Sequence, residues 1–125
     1  MSLSNIAVAD DVLAAYGKFS FSKQANQYRY IILKISEDDE AIVVEKAGGR
    51  KAAYSEFVDD LPEDDCRYAV FDFDLRHQDG RRLSRLALFQ WSPETASVRS
   101  KMLYASSVSG LKSALRGINV NITCT

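Results

Sequence analysis

The chain has 125 residues, 46% hydrophobic and 26% charged, with net charge −1, which suits one domain with a single core and an ordinary globular composition. No apolar run reaches the ~18 residues of a membrane helix, the start MSLSNIAVADD lacks the basic and apolar segments of a secretory signal, and Cys66 and Cys124 have no metal-type spacing, so both are expected as free thiols in a reducing compartment. Charge is uneven, −6 over residues 1–65 and +5 over 66–125, so the second half favours an acidic protein surface, phosphoinositide headgroups or nucleic acid.

Residues 1–9 are expected as an extended, flexible arm on a single domain spanning 1–125. Asp10 and Asp11 favour a helix start, and Val12, Leu13 and Tyr16 recur at helical spacing. A first helix is therefore expected over 10–18, ended by Gly17 and the mixed run after it. Phe19 and Phe21 open a short strand or a packed loop. YRYIILKI, over 28–35, is a strand whose near-continuous hydrophobicity predicts burial on both faces. The acidic run 37–40 reads as a polar, solvated turn. AIVVEK, 41–46, returns as the second strand of a hairpin, broken by Gly48 and Gly49.

A second helix is expected over 52–61, with Tyr54, Phe57, Val58 and Leu61 as its core stripe and Pro62 as its stop. The acids of 59–65 again read as a solvated loop. CRYAVFDFDL, 66–75, is a strand in which Tyr68, Val70 and Phe71 are packing candidates. A polar turn around Asp79-Gly80 follows, and then the strand LSRLALFQW, 83–91. Arg81, Arg82 and Arg85 thus cluster on a hairpin.

Residues 91–107, WSPETASVRSKMLYASS, organise the rest. Ser92 is a plausible N-cap, Pro93 suits a first helical turn, and Glu94 sets negative charge at the positive helix end. A helix is expected from Ala96 to Ser106. At 100° per residue Val98, Met102 and Ala105 share one stripe, flanked by Arg99 and Lys101. Leu103 and Tyr104 point the other way. Periodicity alone favours Val98 and Met102 as core, with Arg99 and Lys101 snorkelling at its edge, because an amphipathic stripe usually meets the core; the alternative offers that ridge to a partner. A short helix over 108–116 is expected next, weakened at Gly110 by about 1 kcal/mol relative to Ala and stopped by Gly117. Alternating Ile118, Val120 and Ile122 end the chain in a strand.

The run Ser92-Pro93, Val98-Arg99-Ser100-Lys101-Met102 and Tyr104-Ala105-Ser106-Ser107 closely resembles the long helix of the ADF/cofilin family of actin-binding proteins. LPEDDCRYAVFDFD, whose acids look like a surface feature, and Ser4-Asn5-Ile6-Ala7-Val8 resemble the same family, and the likeness covers essentially all of 4–123. It implies an α+β, ADF-H fold: a central mixed sheet flanked by helices, here lacking the last C-terminal helix with which most members continue. It implies that Val98, Arg99, Lys101 and Met102, with Ser4, Asn5 and Ile6, contact an actin monomer, which makes Leu103 and Tyr104 the core side. Ser4 matches a serine that is often phosphorylated, and Asn5 stands where members often have glycine. Arg85 matches a basic filament-side position. Leu83 falls where several members carry a second basic residue, with Arg82 as its stand-in and Arg81 beside it.

The activity implied is binding of actin monomers and filaments, the ADP form preferred, with filament depolymerisation and severing. The runner-up is a monomer-sequestering protein with weak severing, and behind it a phosphoinositide-headgroup adaptor. No catalytic site, cofactor or metal is expected. The lone His77 sits in a polar turn, Cys66 has no identifiable base, and no phosphate-binding or metalloprotease motif is present. Nucleic acid fits poorly, because the aromatics lie in core patterns and the overall charge is mildly acidic. A monomer in the cytoplasm, at the actin cytoskeleton and with access to the nucleus, is the expected setting.

Overall fold

A computed structural model of the chain describes residues 6–18, 28–49, 51–73, 75–76, 79–80, 82–83 and 85–124. Its elements are β1 (Ala7–Val8), α1 (Asp10–Tyr16), β2 (Tyr28–Ile35), β3 (Ala41–Gly49), α2 (Tyr54–Asp59), β4 (Arg67–Asp72), β5 (Leu75–Arg76), β6 (Arg82–Leu83), β7 (Leu86–Trp91), α3 (Val98–Ala114) and β8 (Val120–Cys124). Six strands form a mixed sheet in the order β1-β3-β2-β4-β7-β8, parallel at its two outer pairs and antiparallel within. The fold is α+β, with the mixed sheet and flanking helices expected.

Both faces of the sheet are covered, which is why β2 reads as one apolar run. Ile31, Leu33 and Ile35, with Tyr68, Val70, Leu86 and Leu88, pack with residues of α1 and α3. Tyr30 and Ile32, with Ala69, Phe71, Ala87 and Phe89, pack on the other side against Phe57 of α2 and Leu61. Each fully buried large side chain contributes about 1.5–3 kcal/mol of transfer free energy.

Several expectations change. Ala7 and Val8 are not a free arm: they pair in parallel with Ala41 and Ile42, and the Ala7 and Ala9 N–H groups donate to the Glu40 and Ile42 carbonyls at 3.1 and 3.0 Å. α2 is only six residues long, so one residue, Phe57, reaches the core, while Tyr54 and Val58 stay exposed. Asp72 is buried, so the acids after Tyr68 are not all a surface feature. The acids of 59–65 also carry structure. Asp60 accepts from Tyr30 Oη at 2.5 Å and from Lys46 Nζ at 2.7 Å. The predicted strand 83–91 divides into β6, paired with β5, and β7. Arg85 breaks it; its carbonyl accepts from the Phe73 N–H at 3.0 Å.

Gly48 and Gly49 do not break β3. Gly48 pairs with Tyr30, and a Cβ at residue 48 would lie 2.1 Å from the Tyr30 ring. That ring cannot swing aside: its hydroxyl is held by Asp60, and Phe57 and Phe71 lie against it. Gly48→Ala is therefore expected to destabilise the domain by about 1–3 kcal/mol, as overpacking does. Urea titration checks this, and a neutral result would mean that the aromatic cluster yields.

Candidate functional site

Helix α3 starts later than expected and runs on without a break. Ser97, not Ser92, is its N-cap: Ser97 Oγ accepts the Ser100 N–H at 3.1 Å. Residues 92–96 are instead a pinned turn. Trp91 Nε1 donates to the Pro62 carbonyl at 2.6 Å, Thr95 Oγ1 to the Glu63 carbonyl at 2.9 Å, and the Ser92 N–H to the Cys124 carbonyl at 2.9 Å. Glu94 therefore lies outside the helix.

The two helices expected over 96–106 and 108–116 are one, Val98–Ala114. A continuous inward stripe of Leu103, Tyr104, Ser107, Val108, Leu111 and Leu115 follows α3 and the residue that caps it. Its burial outweighs the cost of Gly110. Ser107 is tolerated on that stripe because its hydroxyl donates to the Leu103 carbonyl at 2.8 Å. Tyr104 fixes the rotation of the helix. It is 5% exposed, its hydroxyl accepts the Ile35 N–H at 2.9 Å, and its carbonyl accepts from the Tyr68 hydroxyl. At the far end, Tyr16 Oη donates to the Arg116 carbonyl at 2.5 Å.

With Tyr104 turned inward, the opposite stripe faces out. Val98 is 72% and Met102 67% exposed. Together with Arg99, Leu103, Ala105 and Ser106 they line an open, mostly apolar groove. On one flank Arg99 Nη2 donates to Asp39 Oδ2 at 2.5 Å; on the other Lys101 Nζ donates to the Glu94 carbonyl at 2.8 Å. β1 lies beside α3, and Ile6 packs at the edge of the same core. Ser4 and Asn5 lie outside the described residues.

The basic hairpin is elsewhere. β5 and β6 form a separate two-stranded ribbon between β4 and β7. It leaves from the Asp72–Leu86 end of that pair, whereas α3 begins beyond Trp91. Six residues of strand, about 20 Å at ~3.3 Å each, separate the two ends. Arg82 is on the ribbon and Arg85, exposed, follows it. Arg81 and His77 lie outside the described residues. The described candidate residues thus fall into two groups at opposite ends of the sheet.

Over residues 5–125 the sequence matches the family of cofilin/tropomyosin-type actin-binding proteins. The chain belongs to the ADF/cofilin family. It is 44% identical to a cofilin of Ogataea parapolymorpha, across all of this chain and 85% of that protein. It is 45% identical to actin-depolymerizing factor 2 of Petunia hybrida, across 98% of this chain and 83% of that one. In three dimensions it matches the crystal structure of a Streptomyces griseoflavus cofilin with a TM-score of 0.83 at 35% identity, covering 96% and 86% of the two chains. ADF/cofilin proteins are actin-binding, actin-depolymerising proteins and are not known as enzymes.

Sequence reasoning missed one cluster beside α3. Asp65 accepts from Arg67 Nη1 at 2.8 Å, from the Cys66 N–H at 2.8 Å and from Ser100 Oγ at 3.1 Å, and Arg67 also reaches Glu45 at 2.9 Å. Burial opposes ionisation of Asp65, but the hydrogen bonds outweigh it and hold the carboxyl below its ordinary range. A run of loop acids gives no sign of which one will meet a distant arginine.

Proposed function

We propose that the chain grips an actin monomer through the outward ridge of α3. Val98 and Met102 supply apolar contact, Arg99 and Lys101 the flanking charges, and Ser4, Asn5 and Ile6 a further contact, with Ile6 packed at the edge of the core. One observation carries the reading: two large apolar side chains are left 72% and 67% exposed on a helix whose other side is built into the core. Burying each against a partner is worth about 1.5–3 kcal/mol before the losses of association.

Arg82 and Arg85, at the other end of the sheet, then reach a neighbouring subunit in a filament, with Arg81 assigned to the same contact. A ligand shifts a filament between states only if it binds one better than the other. Preference for an altered, ADP-loaded filament gives severing and subunit loss. Phosphoinositide headgroups compete with actin for Arg81, Arg82, Arg85, Arg99 and Lys101 by charge. The setting is the cytoplasmic actin cytoskeleton, with nuclear access.

Titration against ADP-actin monomers and filaments, beside imaging of dye-labelled filaments, tests this. Fragments along filaments support severing. Slower assembly without fragments replaces it with monomer sequestration. Binding to anionic liposomes without affinity for either form of actin replaces both with a lipid adaptor. In the same titration Ser4→Glu is expected to weaken monomer binding, because added negative charge opposes docking on an acidic surface. Equal affinity would remove the N-terminal segment from the contact.

A further inference from the structure

A polar cleft lies between the β2–β3 turn and the first turn of α3, lined in part by Ser36, Asp39, Asp65, Arg67, Arg99 and Ser100. Across it, Arg99 Nη2 and Asp39 Oδ2 meet at 2.5 Å, although they are 60 residues apart in sequence. Asp39 is held there by its turn. Its φ is +59°, the one positive value at a non-glycine residue among the described residues, in a region that Asp enters more readily than most. The Ser36 N–H donates to the Ala41 carbonyl at 2.7 Å, and the Asp39 N–H to the Ser36 carbonyl at 2.8 Å. Asp38 Oδ1 accepts from Ser36 Oγ at 2.5 Å and from the Glu40 N–H at 3.1 Å. A left-handed residue fixed this firmly by its neighbours is a place to look for function.

The pair is lopsided: the Arg99 side chain is 79% exposed, that of Asp39 32%. The contact uses one nitrogen of a fork with five N–H donors, and the rest of the fork stays open to solvent. We propose that Asp39 is a positioning residue for actin binding, resting on the reading of α3 as the actin-binding face. It holds Arg99 extended beside Val98 and Met102, with its free donors presented to acidic groups of the partner. A free arginine loses much rotamer freedom on docking; one already steered loses less. A bystander carboxylate would act with the opposite sign. On a face that meets an acidic partner, its removal would speed encounter and tighten binding.

The test is titration of monomeric ADP-actin with the full chain, Asp39→Asn, Asp39→Gly, Arg99→Ala and the double variants. Asn and Gly both accept the left-handed backbone, so the turn survives. The expected result is about two- to tenfold weaker binding for each Asp39 variant, no further loss when Arg99 is already Ala, and a thermal midpoint of Asp39→Asn within about 2 °C of the parent. Unchanged or tighter binding overturns the proposal, as does an equal loss in the Arg99→Ala background. If Arg99→Ala itself leaves affinity intact, the actin-binding face is wrong and the positioning role falls with it. If Arg99→Ala weakens binding and the Asp39 variants do not, only the positioning role falls.

Discussion

Replacing Arg99 and Lys101 together by alanine is expected to weaken binding to monomeric actin by roughly 2–5 kcal/mol, the range for charges desolvated at a contact. The fold should be untouched. Both side chains lie outside the core, Arg99 paired with Asp39 and Lys101 with the Glu94 carbonyl. Surface pairs of this kind contribute about 0–1 kcal/mol to stability. Affinity and stability therefore separate. Fluorescence titration of labelled monomers should show a large loss, while urea unfolding stays near that of the parent. Affinity within about twofold of the parent, a difference of less than about 0.5 kcal/mol, would reject this face of α3 as the docking surface.

Tyr104→Ala is expected to have the reverse profile, a large loss of stability at a residue that faces away from the proposed contact. Its ring lies 5.0 Å from that of Tyr68, its hydroxyl accepts the Ile35 N–H, and its carbonyl accepts from the Tyr68 hydroxyl. Burial pushes its phenol pKa up, so the hydroxyl stays neutral at physiological pH. Truncation leaves a cavity, about 3–5 kcal/mol for an aromatic, and an unpaired buried N–H, about 1–3 kcal/mol. Against a domain stability of roughly 5–15 kcal/mol, that brings the chain close to unfolding. Tyr104→Phe keeps the ring and loses only the acceptor, so about 1–3 kcal/mol is expected. Chemical denaturation of both variants orders them. A Tyr104→Ala loss below about 1 kcal/mol would mean that this residue does not anchor α3.

Some of this molecule is written locally. The bounds of β2 follow from YRYIILKI alone, because a strand covered on both faces has no polar side to blur its ends. The helical character of 98–106 follows from spacing. Its cap does not: Ser92 and Ser97 are equally good caps by residue type, and the turn pinned to Pro62 and Glu63 selects Ser97. Gly48 read as a breaker because its role depends on a ring in the neighbouring strand. Gly110 reads as a weak point inside a separate short helix over 108–116, because by local pattern the two apolar stripes are not joined; only packing on the sheet makes Leu103 to Leu115 one buried face.

By itself the sequence determined an α+β domain with a two-sided sheet, a helix with two apolar stripes, and a basic second half. Period and composition carry these, and both are properties of neighbours along the chain. The tertiary structure decided which stripe of α3 is left in water, because Tyr104 is locked to Tyr68 and Ile35, residues 36 and 69 positions away. It also placed Asp39 against Arg99 and set the two basic groups at opposite ends of the sheet. Such partners are fixed only when the sheet brings distant segments together, and no local pattern names them.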